Sequence, residues 1–179
     1  MKILKTDKRL IDEGYRYKIK GDLISDLEID LMDLDKPLYV TGFIVANGYI
    51  EAGESIEAGE FIVADWFIKA GEFIKAGGYI KAGRFIEAGG SIVADWYIKA
   101  DGFIKADGFI KAGRYIEAGG YIEAGEFIKA GGYIKASGDI EAGGYIEAGE
   151  FIKAGGFIKA DGYIEADWYI KANRRIKSG

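Results

Sequence analysis

Apolar and polar residues alternate with a six-residue period from residue 42 to residue 177. Isoleucine occupies every sixth position from Ile44 to Ile176, which makes twenty-three repeats. Alanine follows two residues after each isoleucine up to Ala172. A strict short period is typical of repeat architectures in which successive units stack on one another.

Within each repeat the residues follow the pattern of a β-strand. In Phe73-Ile74-Lys75-Ala76, the isoleucine and the alanine point to one side, and the phenylalanine and the lysine point to the other. The position after isoleucine holds Lys or Glu in twenty repeats and Val in three. Because unpaired charges cannot be stacked in a core, Ile and Ala are predicted to face inward and the aromatic residues outward. A helix is excluded, since the frequent glycines would each cost about 1 kcal/mol relative to alanine.

The two residues after each alanine are predicted to form a corner. Pairs such as Gly53-Glu54 and Asp95-Trp96 begin with residue types that tolerate turns and left-handed backbone conformations. One repeat then makes one face, and three faces close a triangular coil of about eighteen residues, with a two-sided coil as the alternative. We predict an all-β fold, a three-sided parallel β-helix of seven to eight coils over residues 38–179, preceded by an N-terminal β cap over residues 1–37.

The two ends of the chain differ from the repeat. Residues 15–19 and 27–31 both alternate as strands, the first in a basic segment and the second in an acidic one. The two strands are expected either to pair with each other within the cap or to present solvated faces. Residues 173–179 are basic, and they are expected either to place charge on the terminal edge against end-to-end addition or to be a frayed tail.

Composition limits the possible chemistry. The chain has no His and no Cys, and its net charge is −5. A thiolate metal site, a disulfide and a histidine-based catalyst are therefore excluded, and there is no electrostatic case for nucleic acid. The first ten residues are charged and no apolar run is long enough to span a bilayer. We expect no enzyme activity, no cofactor, no metal, no membrane span and a cytoplasmic location.

The polar exceptions in the repeat are interpreted as structural. Ser55 and Ser91 are expected to replace aromatic residues on the outer surface, without a nucleophilic role. Aspartates at the corners are expected to cap turns rather than to bind calcium, because the calcium-binding β-roll pattern is absent. They are Asp65, Asp95, Asp101, Asp107, Asp161 and Asp167.

The position directly before each isoleucine, here called the ring position, holds Phe or Tyr in nineteen of the twenty-three repeats. Because residues eighteen positions apart stack on one another, these rings form three outward rows. One row is interrupted at Ser55 and Ser91, a second row is interrupted at Asp139 and Arg175, and the third is uninterrupted. Extended apolar surface marks an association site. We therefore predict a structural or scaffold protein that forms a side-by-side homodimer or small oligomer through the uninterrupted row, with the Lys and Glu rows pairing across the contact. That row is Phe43, Phe61, Tyr79, Tyr97, Tyr115, Tyr133, Phe151 and Tyr169.

An alternative function is a carbohydrate- or surface-binding module. The three tryptophans, Trp66, Trp96 and Trp168, all follow an aspartate at a corner, and Trp96 and Trp168 are predicted to share one corner. Tryptophan and tyrosine rings at such positions would serve as stacking platforms for a ligand. The structural alternative is that the tryptophans lie flat over neighbouring coils.

The repeat resembles a known coil motif. The sequence Gly138-Asp139-Ile140-Glu141-Ala142 is similar to the motif of bactofilins and other polymer-forming β-helix proteins. That resemblance implies a right-handed triangular β-helix that assembles end to end without a nucleotide. In left-handed hexapeptide β-helices the small inward residue usually precedes the large one, whereas here Ile precedes Ala, and this order also favours the right-handed form.

Overall fold

The computed structural model describes residues 1–3 and 5–179, which contain twenty-eight short β-strands arranged in three sheets. We call the sheets face 1, face 2 and face 3, in the order in which the coiling chain meets them. Face 1 contains β1 (Ile11–Asp12), β2 (Tyr17–Ile19), β5 (Leu38–Val40), β8 (Ile56–Ala58), β11 (Ile74–Ala76), β14 (Ile92–Ala94), β17 (Ile110–Ala112), β20 (Ile128–Ala130), β23 (Ile146–Ala148) and β26 (Ile164–Ala166). Face 2 contains β3 (Leu23–Ser25), β6 (Ile44–Ala46), β9 (Ile62–Ala64), β12 (Ile80–Ala82), β15 (Tyr97–Ala100), β18 (Tyr115–Ala118), β21 (Ile134–Ala136), β24 (Phe151–Ala154) and β27 (Tyr169–Ala172). Face 3 contains β4 (Ile29–Leu31), β7 (Ile50–Ala52), β10 (Ile68–Ala70), β13 (Ile86–Ala88), β16 (Ile104–Ala106), β19 (Ile122–Ala124), β22 (Ile140–Ala142), β25 (Ile158–Ala160) and β28 (Ile176–Lys177).

Strand β1 pairs antiparallel with β2, and from β2 onward the strands stack in parallel, with a constant register from β5 on. Ile68 pairs with Ile86 and Ala70 pairs with Ala88, so each residue lies over the residue eighteen positions away. The predicted three-sided parallel β-solenoid is confirmed. It has about nine turns, close to the predicted seven to eight, and the count is higher because strands β2 to β4 already form a coil.

The core consists of the isoleucine and alanine columns. Every isoleucine from Ile44 to Ile158 is fully buried, and every alanine from Ala46 to Ala160 is buried as well. The residue between them, which we call the outer position, is exposed or half-exposed in each strand. The predicted inward and outward faces are therefore confirmed.

The corners of the repeat do not use left-handed backbone conformations. Among the residues that the structure describes, positive φ angles occur only at Gly14 and Gly21, both before the regular repeat. Glycine is favoured at the corners for a different reason, which is the close approach of successive coils. A Cβ added to Gly71 would lie far inside contact distance of the Gly53 carbonyl oxygen in the coil below.

The first coil is longer than the others. Tyr17 pairs with Leu38, twenty-one residues later, so this coil holds three residues more than the regular ones. The extra residues lie between β4 and β5, where Leu34 turns inward and is buried. Ile3 is also fully buried, and its N–H donates to the Asp30 carbonyl at 2.9 Å. The segment 1–37 thus contains one complete coil and the residues that cover its open end.

The basic and acidic strands of this segment do not pair with each other. Strand β2 lies on face 1 and strand β4 on face 3, because segments twelve residues apart are two corners apart in a three-sided coil. The expected pairing within the cap is therefore wrong. Charge is balanced by ion pairs at its rim instead, with Lys2 Nζ 3.0 Å from Asp33 and Lys5 Nζ 2.8 Å from Asp35.

The C-terminal residues continue the coil. Ile176 pairs in parallel with Ile158, and the Arg175 carbonyl accepts a hydrogen bond from Ile158 N–H at 2.8 Å. The interpretation of this segment as a frayed tail is therefore wrong, and its basic side chains stand on the last edge strand. Ile176 is 47% exposed, in contrast to the fully buried isoleucines up to Ile158. In the part of the chain that the structure describes, no helix is long and apolar enough to cross a membrane.

Candidate functional site

The eight aromatic residues of the uninterrupted row form one continuous stack along face 2. Successive ring centroids are 4.7 to 5.1 Å apart, and the interplanar angles lie between 1° and 8°. The spacing matches the distance between neighbouring strands, about 4.8 Å, because each ring is carried by the next strand of the sheet. We call this stack the face 2 ladder. Its members are Phe43, Phe61, Tyr79, Tyr97, Tyr115, Tyr133, Phe151 and Tyr169.

Stacking determines which part of each aromatic ring a ligand could contact. Inside the face 2 ladder the two faces of a ring are covered by its neighbours, so mainly the ring edges remain accessible. The rings from Phe43 to Phe151 are accordingly half-buried, and only Tyr169, at the end, is 46% exposed. A sugar ring stacks on an aromatic face rather than on an edge, so the interior of the ladder offers no such platform. The rings stabilise the sheet by pairing along it.

Tyrosine ionisation is suppressed in the middle of the face 2 ladder. Tyr133 Oη donates a hydrogen bond to Glu117 Oε2 at 3.1 Å, and burial together with this bond raises the pKa of Tyr133 far above its usual value. Burial also raises the pKa of Tyr97 and of Tyr115. These hydroxyls therefore stay protonated at a pH that ionises tyrosine in an unfolded chain.

We expect the free energy of unfolding to fall as the pH rises above about 10. Unfolded tyrosines lose their protons near that pH, whereas the folded tyrosines hold theirs because their pKa values are raised. The stabilisation that the protonated tyrosines contribute is thus complete at a pH below the pKa of tyrosine in the unfolded chain, and it is lost as the pH rises above that value. Urea denaturation at about pH 8 and about pH 11 measures the change. Tyr133→Phe should weaken the pH dependence, and an equal dependence in both proteins would contradict this account.

The outer charges pair along each face within the chain. Lys75 Nζ lies 2.8 Å from Glu57 Oε1, and Lys105 Nζ lies 3.1 Å from Glu123 Oε1, in each case between adjacent coils. The predicted pairing across a contact between molecules therefore competes with pairs that already exist. Exposed pairs of this kind contribute about 0–1 kcal/mol each.

The tryptophans lie on two different corners. Trp96 and Trp168 share the corner between face 1 and face 2, and Trp66 lies between face 2 and face 3. The guanidinium of Arg84 lies 5.1 Å from the ring centroid of Trp66, and that of Arg114 lies 5.5 Å from Trp96. Each arginine is eighteen residues after its tryptophan, so the coil length would have predicted both cation–π contacts. One face of each of these two rings is thus occupied.

The serines at ring positions are not surface replacements. Ser55 is only 8% exposed and Ser91 only 4%. Ser55 Oγ accepts a hydrogen bond from the Phe73 N–H at 3.2 Å, and Ser91 Oγ accepts one from the Phe109 N–H at 3.1 Å. The expectation of an outward hydroxyl is wrong, because the short side chain folds back onto the backbone of the next coil.

The missing rings leave gaps in which aromatic faces are uncovered. Phe73 lies between Ser55 and Ser91 on face 1 and is 52% exposed. On face 3, Asp139 Oδ1 accepts a hydrogen bond from the Phe157 N–H at 2.9 Å, and a cavity of about 220 Å³ opens there. A cavity of about 300 Å³ lies at Ser55, where the cap reaches over the gap. Its lining comprises Tyr15, Arg16, Pro37, Leu38, Tyr39, Ser55, Ile56, Glu57, Glu72, Phe73 and Lys75.

Among the described residues, no group of three or more acidic, His or Cys side chains is placed to hold a metal ion.

The fold defines the class of protein, a parallel β-solenoid built from stacked repeats. No family model, no curated protein and no solved structure matches the chain.

Proposed function

We propose that this chain is a non-enzymatic scaffold protein that associates side by side with a second copy of itself through face 2. The observation that carries the proposal is an apolar strip at the N-terminal end of this face. There the face 2 ladder lies beside outer positions that are apolar, whereas outer positions elsewhere are mostly charged.

The apolar strip is formed by the register of three strands. Ile24, Val45 and Val63 occupy the outer positions of β3, β6 and β9 and lie directly above one another. Phe43 and Phe61 precede two of these strands and point to the same side. Ile24 is 56% exposed, and the two valines are half-exposed. Contiguous exposed apolar surface of this kind marks an association site, and we call these five residues the face 2 patch.

The charges on the rest of face 2 restrict how two copies can meet. Beyond the face 2 patch the outer row is basic, with five lysines and one glutamate. These residues are Lys81, Lys99, Glu117, Lys135, Lys153 and Lys171. A parallel dimer would place two lysine rows against each other, whereas an antiparallel dimer that overlaps only at the face 2 patches directs the rows away from each other. The contact is then small, below about 1,200 Å², which corresponds to weak and reversible association.

End-to-end assembly, as in the bactofilin-like proteins that the repeat resembles, is the second candidate. Ile164 and Ile170 are only partly buried in the last coil, and Ile176 is exposed. The strands of that coil present an edge to which another chain could add. Growth at this edge would produce filaments rather than dimers.

The test is sedimentation velocity over a range of protein concentrations, with two matched variants. Val63→Glu places a carboxylate in the face 2 patch beside Lys81, and Val93→Glu places one on face 1 beside Lys75 and Lys111. Within the chain, Val63 and Val93 both lie beside a lysine of an adjacent coil, so the two substitutions should have similar effects on folding. We expect a dimer in wild type that Val63→Glu weakens about tenfold or more and Val93→Glu leaves unchanged.

Higher salt should change the dimer little, because the lysine rows point away from each other in the antiparallel arrangement and the contact itself is apolar. A wild type that stays monomeric at every concentration would overturn the proposal, as would equal weakening by the two variants. Long filaments would establish end-to-end assembly instead.

A further inference from the structure

We infer that the cavity at Ser55 on face 1 binds a single neutral hexopyranose unit, either free or as part of a glycan. This site lies on a different face from the proposed association surface and does not depend on it. We call it the Ser55 cavity. Its volume of about 300 Å³ is at the lower end of the range for small-molecule sites, about 300–1,000 Å³.

One wall of the Ser55 cavity is an uncovered aromatic face. Further along the same row, from Phe109 to Tyr163, each ring stacks on the next at 4.6 to 4.9 Å. Phe73 has no such partner on the side of Ser55, because serine replaces the ring that would cover it. Pro37 and the exposed Tyr15 also line the cavity. The gap is therefore bounded by ring surfaces rather than open to solvent on all sides.

The charged side chains around the cavity are paired and held in place. Arg16 Nε donates to Glu13 Oε2 at 2.8 Å, and the guanidinium lies 4.4 Å from the ring centroid of Tyr39. Lys75 Nζ donates to Glu57 Oε1 at 2.8 Å. Ordered polar groups of this kind cost less entropy to engage than mobile ones.

The charges of the lining cancel. Arg16 and Lys75 are balanced by Glu57 and Glu72, so neither an anion nor a cation is favoured. Ser55 Oγ donates to Glu72 Oε2 at 3.1 Å and accepts from the Phe73 N–H at 3.2 Å, so its single proton is already engaged. The remaining carboxylate and guanidinium positions are free to exchange hydrogen bonds with a neutral ligand.

A hexopyranose fits this combination of surfaces. Its ring presents C–H groups on its faces and hydroxyls around its rim. The C–H groups can pack on Phe73, and the hydroxyls can bond to Glu57, Glu72 and Arg16. Hydrogen bonds to charged groups are stronger than hydrogen bonds between neutral groups. A flat aromatic ligand could also stack on Phe73, but it would remove water from these polar groups without replacing it.

The probes are the methyl glycosides of glucose, galactose and mannose, titrated into the intact chain and followed by nuclear magnetic resonance. We expect at least one of the three to bind saturably and to shift resonances of Phe73 and Tyr15. Ser55→Phe fills the gap with a ring, as at the other ring positions of the row, and should weaken binding about tenfold or more. The matched control is Ser91→Phe, which covers the other face of Phe73 and should leave binding unchanged.

Thermal unfolding of each variant shows that it is folded, and Phe73→Leu provides a second variant that removes the ring without filling the gap. Phe73→Leu should also lose binding. The inference is overturned if none of the three glycosides binds, if Ser55→Phe and Ser91→Phe have equal effects, or if indole binds more tightly than every glycoside.

Discussion

Replacing Ile110 by aspartate is expected to unfold the chain. Ile110 is fully buried in β17, where its side chain lies between Ile92 and Ile128 of the adjacent coils. A carboxylate at this position would have only isoleucine and alanine around it, with no group to pair with. Burying an unpaired charge is among the few changes that cost about 4–5 kcal/mol or more, a large part of the usual stability of a domain.

Circular dichroism and urea denaturation measure this loss. The matched control is Lys111→Asp, which introduces the same side chain one residue later on the exposed side of the strand. That variant should keep the wild-type β spectrum and unfold within about 0.5 kcal/mol of wild type. A folded Ile110→Asp protein with an unchanged urea midpoint would contradict the assignment of the isoleucine column to a dry core.

Replacing Tyr115 by alanine is expected to lower the free energy of unfolding by about 2–3 kcal/mol. The Tyr115 ring stacks on Tyr97 at 4.8 Å and on Tyr133 at 4.9 Å, so its removal uncovers two ring faces at once. The loss should be smaller than for a fully buried aromatic residue, about 3–5 kcal/mol, because the ring is half-buried.

Tyr169→Ala is the matched control for the ladder. Tyr169 is the last ring, is 46% exposed and stacks only on Phe151, at 5.1 Å. Its replacement should cost about 1 kcal/mol. Urea denaturation of both variants gives the comparison, and equal losses would show that stacking between neighbouring rings does not stabilise the coil.

The regular coil could be predicted because every repeat contains the same information. Ile74 can be buried and Lys75 cannot, and the alternation between them assigns both faces of a strand. Once three faces are assumed, the offset of eighteen residues follows, and with it the row of rings and its interruptions. The same offset would also have predicted the contact of Arg84 with Trp66, which needs only the coil length.

The irregular parts could not be predicted in this way. The three extra residues of the first coil lie in a segment without a period, so nothing in the pattern indicates that Leu34 turns into the core. The direction of the Ser55 hydroxyl is equally undetermined, because serine is small enough to point outward or to fold back onto the next coil. The Ser55 cavity depends on that direction and on the position of Tyr15 in the cap.

The constant register of the coil has a consequence for insertions and deletions of one repeat. Adding six residues after Ala70 would leave isoleucine over isoleucine, so the core would be preserved. Every later residue would nevertheless move to the next face. On face 2, Phe61 would then be followed by Phe73 and by Ser91, and the unbroken ladder would end there. The isoleucine and alanine columns of the core thus tolerate a change of one repeat, whereas each surface row depends on the number of repeats between its members.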